Sequence, residues 1–145
     1  MSDEDILTIA TYLKDSGESG ASATPEPVAA SNNAMRAGAA IYKDSCAACH
    51  KVSGEGEVNL FPRLAGSALV QSDDPTMLVG GLHGTRAVST SDAPTAPAMP
   101  VFDWRLDDAQ VAAVLTYIRN NWGNAAGSVP ASAVVNQRAS LAKWP

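Results

Sequence analysis

An all-α fold is expected of this 145-residue chain, and three observations point to it. Residues 108–122 place Val111, Val114, Leu115, Ile118 and Trp122 at i, i+3, i+4, i+7 and i+11, the apolar stripe of a core-facing helix. Residues 2–14 repeat the pattern with Ile6, Ile9, Ala10 and Leu13. A pentapeptide, Cys46-Ala47-Ala48-Cys49-His50, closes a third helical stretch that has no strand pattern before it.

The elements follow in chain order. Ser2 is a good N-cap for a helix over 2–14, with Asp5 three residues on in a capping-box-like position. Residues 15–33 are rich in Gly, Ser, Ala and Pro and read as a linker, extended around Pro25 and Pro27. The second helix is expected from about Asn33 to Cys49, with Met35, Gly38, Ala39, Tyr42 and Cys46 on related faces. Gly38 costs helix stability relative to alanine, so a close packing contact is expected there. Residues 51–66 form a loop anchored by Leu60, Phe61 and Leu64. Short helical pieces follow at about 67–71 and 75–82, then a long Pro/Ser/Thr-rich loop over 83–100. A loop of that length in a small domain is usually functional or disordered. Asp107 and Gln110 make a capping box for the 108–122 helix, and Gly123-Asn124 stop it. Pro130 opens a weakly amphipathic helix to about Ala142.

The pentapeptide carries the chemistry. Cys-x-x-Cys-His is the attachment signature for c-type haem. One helical turn presents both sulfurs to one edge of a flat ring, and the next residue reaches the iron. Other readings exist. A redox dithiol expects a strand-then-helix setting. A structural zinc site needs four ligands, and the chain offers two Cys and two His with His83 standing alone. A disulfide between Cys46 and Cys49 would close only a small loop.

Length and composition set the frame. The chain is one domain's worth, poor in aromatics, and a haem would supply an apolar body to pack around. No run of 18 apolar residues suggests a membrane span. The acidic start lacks the apolar segment of a signal peptide, whereas this haem is attached outside the bacterial cytoplasm. The chain is therefore expected to be a processed or excised piece of an exported protein. The net charge of −5 belongs to residues 1–33, with six acids (Asp3, Glu4, Asp5, Asp15, Glu18, Glu26) against Lys14. Residues 34–145 balance nine acids with nine bases, leaving no basic patch for nucleic acid. Such a neutral domain fits short-range docking rather than long-range steering.

The sixth iron position has five candidates: Met1, Met35, Met77, His83 and Met99. Met35 shares the attachment helix and cannot reach the other face. Met77 falls in an apolar helical pattern, where methionine is more often core filler. Met99 ends the long loop, 49 residues after His50, with Pro100 stiffening the backbone beside it. It is the preferred ligand, with His83 or an open site as alternatives. One internal repeat also stands out. Ser2–Lys14 aligns without gaps to Asp107–Arg119 at an offset of 105, matching Ile6 to Val111, Ile9 to Val114, Tyr12 to Tyr117 and Leu13 to Ile118. Two amphipathic helices can look alike; the sharper reading makes 2–14 the last helix of a preceding haem domain.

These residues resemble the class I cytochromes c. The resemblance implies that Gly38 and Tyr42, eight and four residues before Cys46, pack where the attachment helix crosses the C-terminal one, at Val114 and Tyr117. It implies that Pro62, in Phe61-Pro62-Arg63-Leu64, offers its carbonyl to the His50 imidazole, fixing the tautomer. Ala98-Met99-Pro100-Val101-Phe102-Asp103-Trp104 and Leu115–Asn124 are more narrowly similar to the last haem domain of triheme cytochrome subunits that accompany alcohol, gluconate and fructose dehydrogenases. The likeness covers about residues 34–125. Those subunits string such domains in tandem, as the repeat suggests, but only one attachment motif is present here.

The expectation is thus a class I cytochrome c fold, helices packed around one covalent haem c, carrying single electrons without bond chemistry of its own. Helix 1–14 and linker 15–33 precede the domain at 34–125, and a tail at 126–145 follows. Cys46 and Cys49 anchor the ring, and His50 and Met99 ligate the iron. Leu60, Leu64, Leu78, Leu82, Val101 and Phe102 are expected as walls; Arg63, Arg86, Trp104 and Arg105 are the propionate candidates. Implied partners are a redox protein or a preceding haem, flavin or quinone-cofactor domain, with a membrane quinone or oxidase downstream, at the periplasm. A free-standing cytochrome, or a haem domain with an open sixth site, is the alternative.

Overall fold

A computed structural model describes residues 2–15, 26–91 and 94–143. Helix α1 spans Asp3–Asp15. Its capping box forms as expected: Ser2 Oγ accepts from Asp5 N at 3.2 Å, and Asp5 Oδ2 accepts from Ser2 N at 2.8 Å. The helix leaves its apolar side open, with Leu7 and Tyr12 about 70% exposed and Ile6 and Ile9 about 50% (70, 71, 49 and 50%). The side chains of Leu13 and Lys14 lie outside the described residues, as do Met1 and residues 16–25 of the expected linker. The described end of that linker is tied down, since Val28 N donates to Asn120 Oδ1 at 2.8 Å.

Helix α2 spans Asn33–Ser45, capped by Asn32, whose Oδ1 accepts from Ala34 N at 2.8 Å. The continuous helix expected through Cys49 is instead broken at Cys46, where φ widens to −119°. A single turn, α3 at Ala47–His50, starts anew there. The short helices α4 (Ala68–Gln71) and α5 (Thr76–Leu82) fall where expected. The 83–100 stretch is not a plain loop. Strands β1 (Thr85–Arg86) and β2 (Ala98–Met99) pair antiparallel, Thr85 opposite Met99. The pairing uses backbone groups, so a Pro/Ser/Thr-rich sequence gives it no side-chain signature.

Helix α6 (Asp108–Arg119) carries the complete capping box of Asp107 and Gln110, with bonds of 2.8 and 2.9 Å. It ends three residues before Trp122, because Asn120 leaves helical geometry and Trp122 takes a positive φ of 53°. Trp122 therefore turns back onto Tyr42 and Tyr117, with ring centroids at 4.9 and 5.6 Å. Helix α7 spans Ala131–Leu141.

The core is the crossing of α2 and α6. Val111, Val114, Leu115 and Ile118 are buried, each stabilising the fold by roughly 1.5–3 kcal/mol. Gly38 makes the crossing tight: a Cβ there would stand 2.2 Å from Ala113 O and 2.7 Å from Tyr117 Cβ. Tyr42 fills the next position, its hydroxyl donating to Lys51 O at 2.7 Å, so the core helix also holds the residue after the pentapeptide. Helix α7 closes the other side, burying Val134 against α5 and α6.

Candidate functional site

The break at Cys46 creates the site. Cys49 N and His50 N both donate to Cys46 O, at 3.2 and 3.0 Å, so one turn carries both sulfurs and the imidazole. Both thiols are free; Cys46 is buried and Cys49 exposed. Burial pushes the Cys46 thiol up to about 11, with the neighbouring Cys49 and Asp44 adding to it. A nucleophilic or metal-ligating thiolate at Cys46 itself would need the opposite shift. Among the described residues no group of three or more His, Cys, Asp or Glu side chains is placed to hold a metal ion, whereas tetrahedral zinc takes four ligands.

His50 is buried, and its Nδ1 lies 2.9 Å from Pro62 O. A carbonyl only accepts, so Nδ1 carries a proton in this bond, and in the neutral tautomer the lone pair is then on Nε2. The 51–66 loop is folded to deliver that carbonyl. Gly56 N donates to His50 O at 3.0 Å, and Leu64 N and Ala65 N donate to Gly54 O at 2.7 and 3.0 Å. Gly56 adopts φ +63°, and a Cβ there would meet Phe61 O at 2.3 Å and Pro62 O at 2.7 Å. Asn124, in the turn that follows α6, locks the loop: its Nδ2 donates to Leu64 O and Ile118 O, and its Oδ1 accepts from Gly66 N at 2.8 Å.

Cys46, Cys49, His50 and Pro62 line a cleft that is open to solvent. The β1–β2 pair supplies further wall, including Arg86, Ala98 and Met99. Of the sites expected from sequence, the cleft brings together Cys46, Cys49, His50, Pro62, Arg86, Met99, Leu60 and Phe102. Leu64, Leu78 and Leu82 pack in or against the core instead. Val101 is exposed beside Gly84, and Arg63 is exposed on the outer face of the 51–63 loop. Trp104 is 79% exposed, and Arg105 pairs with Asp44 at 2.5 Å. His83 does not line the cleft; its Nδ1 is held by Asp103. Of the other described methionines, Met35 is buried in α2 and Met77 is exposed.

Sequence reasoning missed Ser45, Phe61, Thr85, Ala87 and Pro97 as lining residues. Thr85, Ala87 and Pro97 reach the cleft only through the strand pairing. Phe61 precedes Pro62 and could have been found from it.

The donor set fits a covalent haem: two unpaired thiols on one turn, an imidazole with Nδ1 occupied, and a thioether on the wall built by β2. Residues 35–122 match the family model described as cytochrome c. The chain is 43% identical over 137 residues to the gluconate 2-dehydrogenase cytochrome c subunit of Pantoea cypripedii, covering 87% of this chain and 31% of that one. It is 37% identical over 146 residues to the cytochrome c subunit of the quinone alcohol dehydrogenase of Gluconobacter oxydans (strain 621H), covering 94% and 30%. It is 29% identical over 167 residues to the fructose dehydrogenase cytochrome subunit of Gluconobacter japonicus, covering 99% and 34%. The chain thus spans about a third of the length of these relatives.

Proposed function

This chain belongs to the cytochrome c family, an electron-transfer family, and from that premise we propose that it carries single electrons on one haem c, held covalently by Cys46 and Cys49 and axially by His50 and Met99. When bound, the haem supplies a reversible one-electron change at iron. The remaining work belongs to the chain. Cys46 and Cys49 fix the ring edge to the α3 turn. Pro62 O holds the His50 ring by Nδ1, which leaves Nε2 for the metal and makes it a better donor. The soft Met99 thioether favours the reduced state. With His50 and Met99 both held on the iron in the oxidised and reduced forms, reorganisation would stay small and no position would be left for substrate. Arg86, the cation among the cleft-lining residues, is the propionate partner.

The observation that carries this reading is the His50–Pro62 bond, which orients an imidazole beside two free thiols. A ferric absorption spectrum tests the ligation. A Met-to-iron charge-transfer band in the red is expected, and Met99→Ala removes it; a band that survives the substitution rules Met99 out.

The named relatives support a place in a dehydrogenase chain. The domain then works as a terminal relay at the periplasmic face of the inner membrane. It takes electrons from a preceding haem, flavin or quinone-cofactor domain and passes them to a membrane quinone or oxidase. Among the described residues no helix is long and apolar enough to cross a membrane. Residues 2–14 belong, in this reading, to the end of a preceding haem domain. Their support is the contrast between exposed Ile6 and Ile9 and their fully buried counterparts Val111 and Val114. Sequencing the coding region upstream decides it: further Cys-x-x-Cys-His motifs are expected there, and a stop codon and signal peptide just before Met1 would sink it.

A further inference from the structure

An ion cluster braces the chain just beyond the Met99 strand, next to the residues that lead into β1. Asp103 lies four residues after Met99, with Pro100 between them. Its Oδ1 is 3.2 Å from Arg138 Nη2, and its Oδ2 contacts His83 Nδ1. Arg138 also reaches Asp108 Oδ1 at 2.5 Å through Nη1 and donates to Leu106 O at 2.8 Å through Nη2. Four elements meet here: His83 closes α5, Asp103 follows the Met99 strand, Asp108 opens α6, and Arg138 comes from α7. The Arg138 and Asp103 side chains are only 24% and 30% exposed, so water screens the contact incompletely. Helix α7 lies outside residues 35–122, the part matched to the cytochrome c family. The brace is therefore an addition to the family's core.

The same segment is also held by backbone bonds, through the Thr85–Met99 pairing and the 2.9 Å bond from Phe102 N to Leu82 O. Lifting Met99 away from the cleft breaks those bonds and drags Asp103 with it. With the cluster intact, that movement also separates a half-buried carboxylate from a guanidinium and an imidazole.

We propose that Arg138 and Asp103 are positioning residues for the sixth ligand: an ionic strap from α7 that keeps the Met99 segment closed and so limits entry of small ligands to the iron. The strap rests on the Met99 reading above. It confines the haem to electron transfer by making an open site rare, without touching the haem.

Stopped-flow mixing of the ferric holoprotein with imidazole, followed by loss of the red band, tests it. Imidazole nitrogen replaces the Met99 sulfur at the iron with no change of oxidation state. Arg138→Gln and Asp103→Asn are expected to keep the band but admit imidazole roughly tenfold faster, equivalent to about 1.4 kcal/mol. Arg138→Lys restores part of the slow rate. Val134→Ala truncates a fully buried α7 residue and lowers the denaturation midpoint without changing the imidazole rate. Rates for Arg138→Gln and Asp103→Asn within about twofold of wild type (under 0.5 kcal/mol) overturn the strap. So does a Val134→Ala rate that rises in proportion to its lost stability, because helix loosening alone would then explain the effect. A wild-type protein without the red band overturns the Met99 ligation itself, and the strap with it.

Discussion

Replacing Gly38 by alanine adds a single methyl group where α2 crosses α6. The new Cβ would lie 2.2 Å from Ala113 O, which is 1.2 Å short of the 3.4 Å at which ordinary contact begins. Its other near neighbours are Tyr117 Cβ at 2.7 Å and Ala113 C at 2.8 Å. All three are backbone or first side-chain atoms, so no rotamer change relieves the clash and the helices themselves must part. Overpacking of this kind costs about 1–3 kcal/mol, occasionally more. Parting also loosens Val111, Val114 and Leu115 against α2. The gain in helix propensity returns at most about 1 kcal/mol. A net loss of about 2 kcal/mol is expected, or a fall of roughly 8 °C in Tm for a domain of this size. Denaturant unfolding of the holoprotein, followed by haem absorbance, measures it. Gly80→Ala serves as the control, since this α5 glycine has nothing within 4 Å of an added Cβ. It should be neutral or stabilising by up to about 1 kcal/mol. Gly38→Ala within about 0.5 kcal/mol of wild type would refute the close crossing as the centre of the fold.

Other outcomes follow from the same contacts. Gly56→Ala forces a strained positive φ and crowds Phe61 O and Pro62 O, which weakens the Pro62–His50 bond. The imidazole then donates less, and spectroelectrochemistry should show the potential rising; an unchanged potential means that the bond does not tune the haem. Arg119→Met strips the donor from Val70 O, Ser72 O and Gly127 O in a buried setting. Hydrogen bonds to a charged group contribute about 1.5–3 kcal/mol each, so a loss of several kcal/mol in denaturant unfolding is expected, and a loss under about 1 kcal/mol would contradict the assigned role. Lys51, hydrogen-bonded and 2.8 Å from Glu57, holds that carboxyl below its usual value. A depressed carboxylate stabilises the fold above its unfolded pKa, and the contribution is lost as pH falls through the lowered folded value. Glu57→Gln should therefore flatten the acid side of the stability profile slightly, and high salt should erase the difference because the pair is exposed; a difference that persists in high salt would point to another cause.

Much of the fold was legible because it depends on short-range pattern. The α6 stripe and its capping box need only residues within one helix, and both formed as read. The end of α6 was not legible, because Trp122 continues the apolar spacing while its positive φ serves the Tyr42–Tyr117 cluster. Helix α7 showed little periodicity for a related reason. It buries Val134 and secures its far end with Arg138, so an ionic contact does part of what an apolar stripe would do.

Local reading of the chain was enough for the Cys46–His50 pentapeptide, a short list of candidates for the sixth ligand, the close packing at Gly38 and the cytochrome c resemblance. Each is a matter of residue type and spacing along one stretch of chain. Which side chains share the cleft depends on contacts between distant stretches of chain. Arg86 and Met99 line it together because backbone pairing joins β1 to β2 across eleven intervening residues, 87–97. Arg105 turns to Asp44 and His83 to Asp103 because their partners lie on other elements. Charge pairs are made at a distance of a few ångströms in space, and separation along the chain carries no record of them.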